Sequence, residues 1–273
     1  MNLNEKLTTN VKVLATDLDG TLIPLAGNAQ NQADLVDLQQ FLAENEIELV
    51  FVTGRHYASV ENAIIENKLP SPDWIICDVG TTIMHRQEDS AMQVLEDYHT
   101  ELSQITHSLP VDELSKELQS IAGIRKQEAE KQGPFKLSYY ADAADLQQAV
   151  DAVHGGLDRL SAPYSSIISV DPFNGDGLID LLPAGVSKAF ALHWWSRYVN
   201  VDHQAIVFAG DSGNDLAALT AGYRAIVVEN ASDEVKAKAK SAHNDARWGD
   251  RLYLATQKAT SGVLEGIQVM SHR

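Results

Sequence analysis

The feature that most constrains the fold is a repeated unit in which a short apolar run is followed by a polar loop and a helical pattern. Apolar runs at residues 11–15, 47–52 and 205–209 each begin such a unit. Runs that are apolar at every position, rather than at alternate positions, are typical of parallel strands covered on both faces. The sequence therefore predicts an α/β fold with a doubly wound parallel, Rossmann-like sheet.

A different pattern occupies the middle of the chain. It alternates helical and strand-like segments, at residues 109–121, 136–140, 146–153 and 167–170. The core pattern then resumes with an apolar run at 178–182 and a helical pattern from Lys188. We therefore expect residues 1–85 and 173–273 to form the core of the protein, and residues 86–172 to form an inserted α+β cap domain.

The charge of the chain restricts its partners. The 273 residues include 21 basic and 38 acidic side chains, which gives a formal net charge of −17 with neutral histidines. Such a surface repels nucleic acids and anionic membranes, so we expect neither as a partner. An anionic small substrate would therefore need a local concentration of positive charge.

The cysteine content and the start of the sequence indicate a compartment. The single cysteine, Cys77, cannot form an internal disulfide, which favours a reducing environment. The polar start lacks the basic and apolar blocks of a signal peptide, and no apolar run approaches the ~20 residues that span a bilayer. The expectation is a soluble, cytoplasmic protein.

Reactive polar side chains follow the predicted core strands. Asp17 and Asp19 follow the first strand, Thr53 follows the second, and Lys188 begins a later helix. A further loop reads Gly210-Asp211-Ser212-Gly213-Asn214-Asp215. Ligands of doubly wound sheets bind beyond the carboxyl ends of the strands, so these side chains are expected to converge.

Several carboxylates in one cleft need a compensating cation. Ionised Asp17, Asp211 and Asp215 would repel one another and any phosphate group. A divalent cation with oxygen ligands removes this repulsion, and Mg²⁺ suits carboxylate, phosphate and water oxygens. Lys188 would balance the charge that remains. The residues therefore predict a Mg²⁺ site that handles phosphate.

The ordered motifs resemble those of the haloacid dehalogenase-type phosphatase superfamily. The matching segments are Asp17-Leu18-Asp19-Gly20-Thr21, Thr53, Lys188 and Gly210-Asp211-Ser212-Gly213-Asn214-Asp215. The insert between Thr53 and Lys188 corresponds to the larger, second type of cap in that superfamily. Segments similar to sucrose-phosphate phosphatases and their bacterial relatives occur at residues 135–139, 176–183 and 261–267. Phosphatases of mannosyl and glucosyl phosphates share much of these segments.

The resemblance implies a role for each matching residue. Asp17 would attack phosphorus to give an aspartyl phosphate, Asp19 would be the acid and base, and Lys188 would stabilise the nucleophile and the phosphoryl oxygens. The implied Mg²⁺ ligands are Asp17, the backbone carbonyl of Asp19, Asp211 and Asp215. The implied contacts to the phosphate or the sugar are Thr53, Gly54, Lys136, Ser138, Lys188, Asn214 and Asn230.

These residues also have ordinary structural interpretations. Side chains that could simply cap a following helix are Asp19, Thr53, Asp211 and Asp215. Asn230 could be a turn residue. Lys136 and Ser138 are two residues apart on a predicted strand and share one face, which could be exposed to solvent.

The expected function is hydrolysis of a small sugar phosphate, with sucrose 6-phosphate or a similar glycosyl phosphate as the first choice. The alternatives are a phosphatase of another small phosphate monoester, a phosphomutase, and a non-catalytic sugar-binding or regulatory protein. A mutase would usually carry a small cap between Asp19 and Thr53, where this chain has little room for one. A binding protein has no need of a nucleophile and an acid. The identity of the sugar and the oligomeric state stay open.

Overall fold

The computed structural model describes residues 10–87, 91–170 and 175–272. The strands are β1 (Val13–Thr16), β2 (Glu48–Val52), β3 (Trp74–Cys77), β4 (Thr82–Arg86), β5 (Met92–Val94), β6 (Ile124–Lys126), β7 (Leu137–Ala141), β8 (Tyr164–Val170), β9 (Gly177–Pro183), β10 (Ile206–Gly210), β11 (Arg224–Val227) and β12 (Leu252–Leu254). The α-helices are α1 (Ala29–Glu44), α2 (Tyr57–Asn67), α3 (Glu96–Ile105), α4 (Val111–Leu118), α5 (Leu146–Leu160), α6 (Lys188–Tyr198), α7 (Leu216–Leu219), α8 (Asp233–Asp245) and α9 (Ala259–Ser271).

The chain divides into two compact units. The first comprises Met1–Gln93 and Lys188–Arg273, and the second comprises Val94–Ser187. The second unit is therefore an insertion into the sequence of the first. Among the described residues, no helix combines the length and the apolar character needed to cross a bilayer.

The first unit is built on an eight-stranded sheet in the order β12-β11-β10-β1-β2-β3-β4-β5. The pairs that join β12, β11, β10, β1, β2 and β3 are all parallel, whereas β4 is antiparallel to β3. The order reverses between β1 and β10, which is the topological switch point at which such sheets bind ligands. This confirms the predicted doubly wound parallel sheet.

The central strands explain why this topology forms. Every residue of β1 and β10 is buried, which is the burial pattern of parallel strands covered on both faces. Helices α1 and α9 pack against each other beside them. The buried Asn31 of α1 donates to the Ser261 hydroxyl at 2.7 Å and to the Lys258 carbonyl at 3.1 Å, so its amide does not stay unsatisfied in the core.

The second unit is a four-stranded antiparallel sheet covered by helices. Its strand order is β6-β7-β9-β8. The buried side chains that form its core come from the sheet and from α4 and α5, and include Leu114, Leu118, Leu137, Val153, Leu157, Ile179 and Leu181. Burial alternates along the first part of β9, where Ile179 and Leu181 are buried and Leu178 and Asp180 are only partly buried. This is the pattern of an antiparallel strand with two different faces.

The structure corrects one strand assignment. The apolar run at 178–182 was expected in the core sheet, but it forms β9, which pairs with β7 and β8 in the small sheet. The physical reason is that Ile179 and Leu181 pack in the core of the second unit while Leu178 and Asp180 on the opposite face are only partly buried, whereas a central parallel strand is buried on both faces. The second unit therefore extends to Ser187, beyond the expected end of the cap. The expected boundary between residues 172 and 173 lies outside the described residues.

The short segment between Asp19 and Thr53 contains no extra domain. Its described residues are a loop, α1 and β2. The room that a small cap would need at this position is therefore taken by one helix and one strand, as the sequence predicts.

Candidate active site

Asp17 lies at the carboxyl end of β1, at the switch point of the sheet. Its backbone N–H donates to the Ala209 carbonyl of β10 at 2.9 Å, so the strand ladder fixes where the side chain begins. The chain then turns at Gly20, which has φ of +74°. A Cβ at Gly20 would overlap the carboxylate of Asp211. Glycine is therefore required both for the turn and for the approach of the loop after β10.

Lys188 is the positive centre of the site. Its Nζ lies 2.7 Å from Asp17 Oδ1, 2.7 Å from Asp215 Oδ1 and 3.0 Å from Asn214 Oδ1. An ammonium group has three N–H donors, and each of them has an acceptor here. Lys188 is the first residue of α6, where the helix dipole disfavours a cation, so the two carboxylates offset an unfavourable position as well as burial.

The charges of the site shift the pKa values of its members. Burial raises the pKa of Asp17 well above its ordinary value, and the neighbouring Asp215 and Asp211 add to this against the opposing effect of Lys188. Burial, together with Asp215, raises the pKa of Asp211 to about 6. Burial alone would lower the pKa of Lys188, but Asp17 and Asp215 outweigh it and raise that pKa. The cluster therefore holds more negative charge than one ammonium group neutralises.

Asp215 organises the loop that follows β10. Its Oδ2 accepts hydrogen bonds from the Asp211 N–H at 3.2 Å, the Ser212 N–H at 3.0 Å and the Ser212 hydroxyl at 2.8 Å. Its Oδ1 accepts from Lys188. Both oxygens of Asp215 are thus engaged by the chain itself, and the carboxylate is fully buried.

The donor set of the site fits a hard divalent cation. Asp17, Asp211 and Asp215 each offer a carboxylate oxygen, and these oxygens lie within 4.8 Å of one another. Asp211 is oriented by the Thr21 hydroxyl, which donates to its Oδ1 at 3.0 Å. Oxygen ligands and an excess of negative charge suit Mg²⁺. Asp17 and Asp211 are more available as ligands than Asp215, whose oxygens already accept four hydrogen bonds.

Thr53 and Gly54 lie at the carboxyl end of β2, next in the sheet to β1. Thr53 is fully buried, and its hydroxyl accepts a hydrogen bond from the Arg55 N–H at 3.2 Å. A Cβ at Gly54 would lie 3.9 Å from Asn214 Nδ2. The loops after β2 and β10 therefore meet here, as the predicted convergence of strand ends requires.

Asn230 holds the loop after β1. Its Nδ2 donates to the Gly20 carbonyl at 2.8 Å and lies 3.5 Å from Asp211 Oδ2, while its Oδ1 accepts from the Ala259 N–H at 2.8 Å. Both ends of the amide thus bind the chain itself. The predicted contact between Asn230 and phosphate stays a prediction, and so does the role of the Asp19 carbonyl as a metal ligand.

Lys136 and Ser138 belong to the second unit, and both are buried. The interpretation of a solvent-exposed strand face is therefore wrong for both residues. The Ser138 hydroxyl donates to Asp180 on the neighbouring strand β9, and its N–H donates to Gln132 Oε1 at 2.8 Å. The predicted contacts of Lys136 and Ser138 with a sugar stay predictions.

Two residues that were not predicted contact the predicted ones. Thr21 orients Asp211, and Arg55 forms an ion pair with Asp19 whose shortest N–O distance is 2.6 Å. Thr21 belongs to the quoted segment after β1, and Arg55 directly follows the predicted contacts Thr53 and Gly54. Their position next to predicted site residues was the available signal.

This fold and this arrangement of carboxylates and lysine define a hydrolase of the haloacid dehalogenase-like type. The family model described as sucrose-6F-phosphate phosphohydrolase matches residues 10–271, and the chain belongs to that family. The resemblance stated from the motifs is thereby confirmed. Members of the family are phosphatases, and the chain is a phosphoric monoester hydrolase.

Individual relatives agree with this assignment. A haloacid dehalogenase-like hydrolase of Nitrosococcus oceani is 36% identical over 263 residues, which cover 93% of this chain and 70% of that protein. Mannosylfructose-phosphate phosphatase of Agrobacterium fabrum is 29% identical over 260 residues, covering 94% of this chain and 96% of that protein. The solved structure of the sucrose-phosphatase of Synechocystis sp., in complex with sucrose and phosphate, has a TM-score of 0.72 and 25% identity, covering 95% of this chain and 97% of that chain.

Proposed function

We propose that the protein hydrolyses a sugar phosphate by transferring the phosphoryl group to Asp17 and then to water. The observation that carries this proposal is the buried contact between Asp17 and Lys188, at 2.7 Å. A carboxylate held in a fixed position by an ammonium group is an oriented nucleophile. Mg²⁺, when bound by Asp17 and Asp211, would neutralise charge on the phosphoryl oxygens and on the attacking carboxylate.

The residues of the chain divide the remaining work. Lys188 favours the ionised form of Asp17 and orients it, and Asn214 and Asp215 fix the direction of the ammonium group. Thr53 and the N–H groups around Gly54 would bind the phosphoryl oxygens. Asp19 would give a proton to the leaving sugar oxygen and then take one from the attacking water.

The substrate class is inferred from the relatives. The solved structure that contains sucrose and phosphate is similar over nearly the whole length of both chains, and so is the sequence of the mannosylfructose-phosphate phosphatase. Both names point to phosphate on a disaccharide. We therefore propose a glycosyl phosphate as substrate, with sucrose 6-phosphate first, and residues of the second unit, Lys136 and Ser138 among them, as the sugar contacts.

The substrate is tested by measuring phosphate release with Mg²⁺ from sucrose 6-phosphate, mannosylfructose phosphate, glucosylglycerol phosphate, glucose 6-phosphate and p-nitrophenyl phosphate. A disaccharide phosphate should have the highest kcat/KM. If glucose 6-phosphate has the highest kcat/KM, or if no sugar phosphate exceeds p-nitrophenyl phosphate, the substrate is another phosphate monoester rather than a disaccharide phosphate.

The covalent step is tested separately by acid quenching. Wild-type protein mixed with ³²P-labelled substrate should retain label on the protein, and Asp17→Asn should retain none. Label that survives in Asp17→Asn would assign the nucleophile to another residue. Transfer of phosphate between two positions of a sugar without release would favour a mutase.

A further inference from the structure

Arg55 makes a two-point contact with Asp19. The guanidinium Nε lies 2.7 Å from Asp19 Oδ2, and Nη2 lies 2.6 Å from Oδ1. This fork-to-fork geometry fixes the plane of the carboxylate as well as its position. Each carboxylate oxygen keeps a second lone pair, so the pair leaves Asp19 able to bind a proton or a water molecule.

Arg55 is itself held at several points. Its N–H donates to the Thr53 hydroxyl at 3.2 Å, and its carbonyl accepts from the Asp78 N–H at 2.8 Å. Its Nη1 donates to the Ser59 hydroxyl at 3.0 Å and to the Ser59 carbonyl at 3.3 Å. The backbone and the side chain of Arg55 are therefore both fixed by contacts other than the one with Asp19.

An unusual turn supplies one of these anchors. Asp78 and Val79 have φ of +52° and +60°, and the following Gly80 has φ of +98°. Left-handed backbone is unfavourable for valine, whose side chain is β-branched. The turn directs the Asp78 N–H to the Arg55 carbonyl and the Val79 N–H to the Thr53 carbonyl at 3.2 Å. The strained backbone of Asp78 and Val79 therefore forms the hydrogen bonds that hold the segment containing Arg55.

This anchoring separates the pair from an ordinary surface ion pair. The side chain of Asp19 is 53% exposed and that of Arg55 is 30% exposed. Exposed pairs usually gain little, because both side chains lose rotamer freedom to form them. The fixed Arg55 has already lost that freedom, so Asp19 alone is ordered by the contact. The main effect of the ion pair is therefore to fix the Asp19 carboxylate, and its contribution to the stability of the fold is small.

We propose that Arg55 is a positioning residue that selects the rotamer of Asp19 from which the leaving oxygen and the attacking water are reached. The proposal rests on the proposed function, in which Asp19 is the acid and base. Without Arg55, the exposed Asp19 side chain would distribute over its staggered rotamers. The nucleophile Asp17 would keep its contact with Lys188, so the loss would fall on proton transfer alone.

Leaving-group dependence tests the proposal. An alkyl phosphate such as glucose 6-phosphate needs a proton on its leaving oxygen, whereas p-nitrophenolate departs without one. General acid catalysis contributes about 10²- to 10⁴-fold, so a misplaced acid should cost part of that factor. We expect Arg55→Ala to lower kcat/KM for glucose 6-phosphate about 10-fold or more, and for p-nitrophenyl phosphate by less than about 3-fold. Arg55→Lys, which keeps the charge without the fork, should fall between Arg55→Ala and wild type.

A double-mutant cycle shows whether Arg55 acts through Asp19. In an Asp19→Asn background, Arg55→Ala should cause no further loss on either substrate. A full loss in that background, or equal losses on both substrates in the wild-type background, would overturn the proposal and make Arg55 a direct substrate contact or a fold residue. Arg159→Ala is the matched control, because Arg159 forms a 2.8 Å pair with Glu117 in the second unit. It should change neither rate.

The proposed function fails in a different way. If Asp19→Asn hydrolyses both substrates as fast as the wild type, Asp19 is not the acid and the mechanism itself is wrong. If Asp19→Asn shows the leaving-group dependence and Arg55→Ala does not, the mechanism stands and only the role of Arg55 is lost. Thermal unfolding of each variant confirms that rates are compared between folded proteins.

Discussion

At the scale of single residues, the site brings like charges close together and holds them in place with hydrogen bonds. Asp17, Asp211 and Asp215 crowd three carboxylates around one ammonium group. Removing one partner of a buried ion pair typically costs about 3–5 kcal/mol, because the other charge is left without compensation. Here the excess is on the negative side, so the consequences of losing a carboxylate and of losing the lysine should differ in sign.

Asp17→Asn should abolish turnover and yet stabilise the metal-free protein at pH 7. The pKa of Asp17 is raised by burial and by its acidic neighbours, so its ionised form is unfavourable in the folded state. Asparagine resembles the protonated form and avoids this cost. In thermal unfolding with excess chelator, the Tm of the variant should exceed that of the wild type at pH 7, and the difference should shrink as pH falls toward 4, where Asp17 becomes protonated in the unfolded chain as well. A lower Tm at pH 7 would contradict the electrostatic account.

Gly20→Ala should weaken metal binding more than it weakens the fold. Its Cβ would overlap the Asp211 carboxylate, and φ of +74° would add backbone strain. Gly27→Ala is a matched control, because Gly27 also has φ of +74° but no atom within 4 Å of an added Cβ. In chelator both variants should lose the stability that left-handed backbone costs alanine, and Gly20→Ala should lose somewhat more because Asp211 has to move. Only Gly20→Ala should need a higher Mg²⁺ concentration for half-maximal activity, by about 10-fold if about 1.4 kcal/mol of binding is lost.

At the scale of secondary-structure elements, the sequence carried most of the information about the core. The mostly apolar runs of β1, β2 and β10 predict buried parallel strands, and the polar residues that follow them converge as expected. Strand β9 was assigned to the wrong sheet, because a mostly apolar run that precedes a motif lysine has the composition of a core strand. The pair between Asp19 and Arg55 depends on side-chain rotamers, which periodicity does not encode.

The small sheet should control which substrate is used. Lys136 is buried beside β7, whereas Lys126 lies on β6 of the same sheet with an exposed side chain that donates to the Ser115 hydroxyl at 3.2 Å. We predict that Lys136→Ala lowers kcat/KM for the preferred disaccharide phosphate by about 10-fold or more, because a sugar contact also aligns the reacting phosphate. The rate on p-nitrophenyl phosphate should change little, and Lys126→Ala should affect neither substrate. Equal losses on both substrates would assign Lys136 to the fold.

At the scale of the whole molecule, the chain carries a formal charge of −17, whereas a phosphate monoester is itself an anion. The overall field opposes the approach of a phosphate, so positive charge at the site has to act locally. In the described residues, that charge comes from Lys188 within the carboxylate cluster, with Arg55 beside it. The composition predicted the need for this local charge, and the motifs predicted Lys188. The position of Arg55 at the site is seen only in the structure.

The dependence of stability on pH should reveal the metal site without measuring activity. Because the pKa of Asp211 rises from 3.8 to about 6 on folding, the folded metal-free protein binds this proton more tightly than the unfolded chain does. Its stability should therefore fall as pH rises from about 4 to about 6, where the unfolded chain has released the proton and the folded state still holds it. Mg²⁺ competes with that proton, so the increase in Tm caused by Mg²⁺ should be small at pH 5 and large above pH 7.

Calorimetric scans from pH 5 to pH 8, in chelator and in excess MgCl₂, measure this difference directly. NaCl at matched ionic strength is the control at each pH, because screening alone stabilises a protein whose net charge is −17 at pH 7. Asp211→Asn should remove most of the Mg²⁺ effect and flatten the profile in chelator, since the titrating ligand is gone. A Mg²⁺ effect of equal size at pH 5 and pH 8, or one that persists unchanged in Asp211→Asn, would place the cation elsewhere and leave the three carboxylates to be neutralised by protons and Lys188.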